Sequence, residues 1–358
     1  MRWLLDNASP SVQYRAIIDV ANLGGRVGPE LANLPYAARR ALELAVGQSA
    51  DGIWNAKMLS VPTKSSDGFE GVGTIQAAHR LIESGWDKDS PPFYHARRTL
   101  FRLLAEDDDP TLLYELAPKA GARGGKPDEE QVSHLRQTLR EAAGAVLAKA
   151  GYEADPRLRG AARRTIDRIA DFLRSPAAEK PWVRVGNQQV LALEAYPPSV
   201  YALQMFAYMP LFRTENYDKM ELIYKWITRP MPRQEPLQLF GKKMLPIPNA
   251  VLGDPLPHRN AVEDDVPAAI AWLETMARLG FLKRHETWLK MYERFVDDCG
   301  RDGVWHPHKG LVMPRSAAPW VWPFYPLESG SGGDERWADI TFRIGLIAKL
   351  LGRGVTLV

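Results

Sequence analysis

Three consecutive carboxylates, Glu263-Asp264-Asp265, stand directly before an apolar run and are the residues best placed for acid chemistry. Adjacent carboxyls in apolar surroundings raise and split each other's titrations, so that one keeps its proton and can act as a general acid. The same triplet suits a simpler task, because negative charge at a helix N-terminus is held by capping and by the backbone dipole. Both readings are open at this level. A second set is Asp297-Asp298-Cys299 followed by His306 and His308, a mixed group of types that ligate zinc. Cys299 takes the place of Gln48 at the end of an outer helix and reads rather as a packed turn residue, and no metal or cofactor is assigned. A third set is aromatic: Trp320, Trp322, Phe324 and Tyr325 share one loop. Their ring faces could stabilise a cation or simply pack on the fold. In the same region His306, His308, Lys309 and Arg315 could meet a diphosphate or a carboxylate. Phosphate-cradling Gly loops, Ser/His/Asp elbows and His-Glu-x-x-His motifs are absent from the sequence.

The elements that must carry these residues are helices. Val266, Ile270, Leu273, Ala277 and Phe281 recur at helical spacing behind the acids, and Gly280 ends the run. A second helix is expected from His285 to Val296, with Trp288, Met291, Tyr292 and Phe295 as its apolar stripe. The turn Arg301-Asp302-Gly303 then delivers Trp305. An earlier stretch has the same grammar: a helix over Pro35–Gly47, then Gln48-Ser49-Ala50-Asp51-Gly52-Ile53-Trp54, which matches Cys299–Trp305 in its Asp-Gly-aliphatic-Trp ending. Phe69–Gly85 is expected to take the place held by Asp264–Gly280 in the later copy. Two separated copies of a helix pair indicate a repeat architecture.

Further helices are expected from Pro10, from Pro91 to Ala105, over Asp128–Ala150 and Asp155–Leu173, after Pro197-Pro198, over Asn216–Ile227 and over Trp337–Leu350. Charges along Lys119–Arg168, Glu141 and Glu153 among them, read as a solvated face. Residues 119–127 read as a flexible loop within a single domain, and Pro181-Trp182 falls where another turn Trp would stand. Prolines break regular helix over 229–260, where Leu237–Phe240 and Lys243–Ile247 could pair as a short hairpin. The fold class expected is all-α.

With 358 residues, 45% hydrophobic and 25% charged, the composition is that of a globular protein, and a net charge of +3 gives no reason to propose nucleic acid as a partner. One cysteine excludes an internal disulfide framework and fits a reducing compartment. No apolar run approaches the ~20 residues of a membrane span. Charge interrupts the first residues too early for a secretory signal. The expectation is a cytoplasmic protein.

Helix pairs, a Gly-x-Trp turn after each outer helix and an acid-led inner helix together resemble the α/α-toroid superfamily of terpenoid cyclases and protein prenyltransferase β-subunits. Gln48–Trp54 is similar to the QW motif of squalene-hopene cyclases, in which Gln and Trp tie an outer helix end to the next helix start. The resemblance implies an α/α toroid with a central apolar cavity that takes a small isoprenoid-like ligand. In class II cyclases the middle acid of Asp-x-Asp-Asp protonates the substrate. Val262-Glu263-Asp264-Asp265 lies there, with Val262 in place of the first Asp. The resemblance therefore implies Asp264 as general acid beside Asp265 and Glu263, with Trp320, Trp322, Phe324, Tyr325, His306 and His308 binding substrate. The alternatives are a non-catalytic toroid that binds a hydrophobic ligand or a protein, and a glycan-active toroid enzyme.

Overall fold

The computed structural model describes residues 2–21, 28–62, 68–105, 129–231, 236–240, 243–258, 261–307, 314–327 and 332–355. The expected flexible loop at 119–127, together with His308 and Lys309, lies outside these residues. The chain is mostly helical. In order it forms α1 (Arg2–Asn7), α2 (Pro10–Arg15), α3 (Pro29–Ala32), α4 (Arg39–Val46), α5 (Thr74–Glu83), α6 (Pro91–Leu104), α7 (Glu129–Lys149) and α8 (Pro156–Arg174). A first hairpin, β1 (Trp182–Val185) and β2 (Gln188–Leu191), leads to α9 (Val200–Ala207), α10 (Pro210–Glu215) and α11 (Tyr217–Ile227). A second hairpin, β3 (Leu237–Phe240) and β4 (Lys243–Pro246), precedes α12 (Ala261–Asp264), α13 (Val266–Leu279), α14 (Glu286–Asp297) and α15 (Ala338–Leu350). Among the described residues no helix is long and apolar enough to cross a membrane.

These elements gather into two compact units. One comprises Met1–Asn55, Ser60–Ala96 and His258–Val358, and the other Ala56–Leu59 and Arg97–Pro257. Helix α6 begins in the first and ends in the second.

In the first unit, Leu4, Val12, Val20, Leu327, Ala338, Phe342 and Leu346 form a continuous apolar cluster. The two Asp-Gly-aliphatic-Trp turns are built alike. Ser49 N donates to Ile53 O at 2.9 Å and Gly300 N to Val304 O at 2.8 Å. Gly52 and Gly303 take φ of +78° and +76°, a backbone state that costs an L side chain ~1–2 kcal/mol. Each Trp backbone N–H then donates to a threonine at the start of the next helix, Trp54 to Thr74 Oγ1 and Trp305 to Thr341 Oγ1, both at 3.1 Å. Through these turns the counterpart of α5 is α15, where the sequence had suggested the acid-led helix α13. The anchor is the threonine beyond the turn, which the spacing of apolar residues does not register. Gln48 Nε2 reaches Pro92 O at 2.8 Å and so ties the end of α4 to the start of α6.

The second unit is organised on α7, whose stretch from Leu139 to Ala148 is buried except for Arg140. Helix α9 lies directly on it. A β-carbon at Gly144 would come within 2.5 Å of Met205 Sδ, so glycine is what lets the two approach. Helix α8 is amphipathic, burying Leu158, Ala162, Ile166 and Ile169, and its Asp155 cap accepts from Arg157 N, a contact worth ~1 kcal/mol. The expected hairpin forms as β3 and β4, with Leu237 opposite Pro246 and Phe240 opposite Lys243. Trp182 is not a turn residue: it pairs with Leu191 in the β1–β2 hairpin, closed by Gly186 at φ +60°. The sheet order is β1-β2-β3-β4, its two hairpins joined in parallel at Leu191 and Gln238. Gln238 Nε2 staples that junction by donating to Ala192 O and Ala195 O, at 3.0 and 2.9 Å.

Candidate functional site

In the first unit the three acids separate into different tasks. Asp265 caps α13, with Oδ1 accepting from Ala268 N at 2.8 Å and Oδ2 from Ser316 Oγ at 2.6 Å. Glu263 pairs with Arg294, and Asp264 is exposed at the end of α12. The aromatic loop packs on α5. Trp322 lies under the Arg80 guanidinium at 4.6 Å, and Phe324 meets His79 edge-on at 4.8 Å. Tyr325 is buried and Trp320 half-buried. Arg80 also donates to the carbonyls of Trp322, Pro326 and Leu327, while Arg343 holds that of Phe324 at 3.1 Å. His306 stands 3.8 Å from Asp302 and 4.0 Å from Asp334. Cys299 Sγ donates to Phe295 O, and burial pushes the thiol up to about 11. Among the described residues no group of three or more His, Cys, Asp and Glu is arranged to hold a metal ion.

Beneath that loop runs a buried ionic lattice. Arg343 bridges Glu83 at 2.8 Å and Glu274 at 2.6 Å; Arg15 adds a contact of 2.8 Å to Glu83, and Arg278 one of 3.0 Å to Glu274. These charges come from α2, α5, α13 and α15, so the lattice fixes how four helices meet. Each desolvated ion here has an opposite partner within contact distance, the condition under which burial is tolerated.

A different arrangement stands in the second unit. Helices α7 and α8, the segment 193–196 and strand β3 enclose a cavity of about 800 Å³. Phe172, Ala177, Leu193, Ala195, Tyr196 and Phe240 supply apolar wall; Ser133, His134, Gln137, Arg168, Ser175 and Gln238 are its other polar groups, and Glu129, Glu130, Asp171 and Glu194 its carboxylates. A smaller cavity of about 290 Å³ lies behind, lined partly by Pro246, Ile247 and Pro248. His134, Gln137, Ala195, Tyr196 and Gln238 line both spaces.

The common wall is held by one buried carboxylate. Glu141 is 4% exposed and accepts three hydrogen bonds: Gln137 Nε2 at 2.8 Å, Ser199 Oγ at 2.5 Å, and the Tyr196 hydroxyl. Ser199 in turn caps α9 by accepting from Ala202 N at 3.0 Å. Arg168 donates to Gln137 Oε1 at 2.6 Å and sits 5.0 Å from the centre of the Tyr196 ring. Burial, then the Glu141 charge, raise the Tyr196 hydroxyl well above its ordinary range, so this phenol remains a proton donor to Glu141. Burial lowers His134, leaving a neutral imidazole 4.8 Å from the Phe240 ring.

The sequence expectation of a solvated charged face does not hold for Glu141, which is inside, while the half-exposed Glu153 accepts from Phe212 N at 2.8 Å. The available signal was local: Glu141 stands between Leu139 and Ala142-Ala143, in a run that the helix buries. A lone acid in such a run requires donors. No protein-family model, no curated protein and no solved structure matches this chain.

Proposed function

We propose that the protein is a binding protein for a small, largely apolar molecule, which occupies the cavity between α7, α8 and β3. The cavity carries the reading. Its volume of about 800 Å³ lies within the ~300–1,000 Å³ range of ligand sites, and aromatic and aliphatic side chains share its lining with polar and charged ones. An isoprenoid-like chain is among the molecules such a space admits. Binding suits the chemistry of the wall better than catalysis. Tyr196 holds its proton, Glu141 is occupied by three donors, and His134 is neutral. The test is equilibrium titration with Nile red, a neutral apolar dye. Saturable one-to-one binding with blue-shifted emission is expected, and Ala195→Trp, which fills the shared wall, should abolish it while circular dichroism stays unchanged. Binding that persists in the folded variant would move the ligand elsewhere.

A second reading rests on the two equivalent Trp turns and the Gln48 tie, which support kinship with the α/α-toroid cyclases. Under it, Asp264 would protonate an isoprenoid. Its exposed position counts against that role, because water competes for the proton. Incubation with farnesyl and geranylgeranyl diphosphates tests this reading: a cyclised product lost in Asp264→Asn would support it, and an unchanged product from that variant would remove the assigned acid.

A further inference from the structure

Taking the cavity as a ligand site, as proposed above, we infer that its ligand is a neutral alcohol, whose hydroxyl donates to Gln238 Oε1 at the wall common to the two cavities. Gln238 and Phe240 are alternate residues of β3 and both are buried, so their side chains leave the strand on the same inward face. The amide of Gln238 cannot turn over. Its Nε2 donates to three backbone carbonyls, those of Ala192 at 3.0 Å, Ala195 at 2.9 Å and Leu193 at 3.3 Å, and an oxygen in that position would face three acceptors. Oε1 is thereby held at the other end of the amide, where it accepts no hydrogen bond among the described residues. Gln238 is only 6% exposed and lines both cavities, yet Oε1 is not one of the partnerless atoms sealed inside the protein, so the space it opens on is the cavity. A guest that covers this acceptor without offering a hydrogen leaves it short of a partner where water no longer reaches.

The other polar groups of the shared wall narrow the guest further. Gln137 gives Nε2 to Glu141 and receives Arg168 on Oε1, and the Tyr196 hydroxyl hydrogen goes to Glu141. His134 remains, a neutral imidazole with one N–H and one bare nitrogen. A hydroxyl carries both a hydrogen and lone pairs, and so answers Gln238 and an imidazole alike. An ether has no hydrogen to give, and neither has an ionised carboxylate. A carboxylate would be drawn instead to Arg168, which is exposed and keeps N–H donors besides the one given to Gln137.

The experiment is calorimetric titration of the full-length protein with 1-octanol, its isomer 1-methoxyheptane, and octanoate. The first two share one formula and one oxygen, and only the alcohol carries a hydrogen on it. Octanol is expected to bind at least about fivefold more tightly than the ether, the range for leaving a buried acceptor unmet, and more tightly than octanoate. Gln238→Met keeps the length of the side chain and removes the acceptor. In that variant octanol should weaken by about fivefold or more and the ether stay within about twofold, so that the two converge while circular dichroism stays unchanged. Should the loss of the amide unfold the variant, Ala195→Trp serves in its place and should abolish the octanol binding. An ether as tight as the alcohol, or an alcohol preference that persists in folded Gln238→Met, would overturn the inference and leave the cavity as an apolar site. Octanoate binding more tightly than octanol would overturn it in favour of Arg168 as the group that holds the polar end. Failure of all three probes to bind would overturn the inference together with the ligand reading beneath it.

Discussion

At the residue scale the informative groups are those that burial has shifted. His134 titrates below its ordinary value of 6.5 because desolvation penalises the imidazolium. The unfolded chain therefore takes up a proton near pH 6.5 that the folded protein refuses. Stability is unaffected above that pH, falls as pH drops through it, and levels off below the folded value. Urea midpoints at pH 7.5 and pH 5.0 should differ, and by less in His134→Gln. Cys299, pushed up to about 11, is almost wholly a thiol at pH 8 and should react slowly with a disulfide reagent until denaturant is added, when its rate rises to that of a free cysteine. Tyr196→Phe removes one of the three donors from Glu141. A cost of ~1–3 kcal/mol is expected from denaturant unfolding, the range for leaving a buried acceptor short of a partner.

At the scale of elements, the two Trp turns can be set against each other. Gly303 has open space around a built β-carbon, whereas one at Gly52 would lie 2.8 Å from the His95 carbonyl oxygen. Gly303→Ala should cost ~1–2 kcal/mol for its positive φ alone. Gly52→Ala adds a backbone clash, bringing the loss to roughly 3 kcal/mol or more. Thermal midpoints of the two variants check the order. These turns were legible in the sequence because an Asp-Gly pair before a buried Trp is a local signal, and the long helices were legible by periodicity. The β1–β2 hairpin was missed although Gly186-Asn187 sits between Val185 and the strand that holds Val190, a two-residue turn signal that the search for a third turn Trp displaced. The cavity was not legible at all. His134 and Glu141, Arg168, Tyr196 and Gln238 come from four separate segments, and no spacing rule connects residues whose only relation is where the chain returns.

For the whole molecule, the lattice around Arg343 concentrates the strongest dependence on a single side chain. Arg343→Leu leaves Glu83 with Arg15 alone and Glu274 with Arg278 alone, although the two acids are 0% and 2% exposed. Each acid loses one of its two cations, and a loss of ~1–3 kcal/mol per acid is expected, a large part of the ~5–15 kcal/mol that holds a typical domain together. Replacing Glu83 at the same time, as in Glu83→Leu with Arg343→Leu, should recover part of it, and a double-mutant cycle on denaturation measures how much. The contact from Glu83 to Arg343 also spans 260 positions of the chain. All of the second unit's main segment, Arg97–Pro257, is strung between them. During synthesis that middle portion has left the ribosome while the last hundred or so residues are still unmade, a delay on the order of ten seconds at ordinary elongation rates. Over that interval Glu83 has its first cation, Arg15, within reach, and its second, Arg343, has not been made. The early helices can therefore hold their acid on one arginine at first, and the second joins it only when α15 docks.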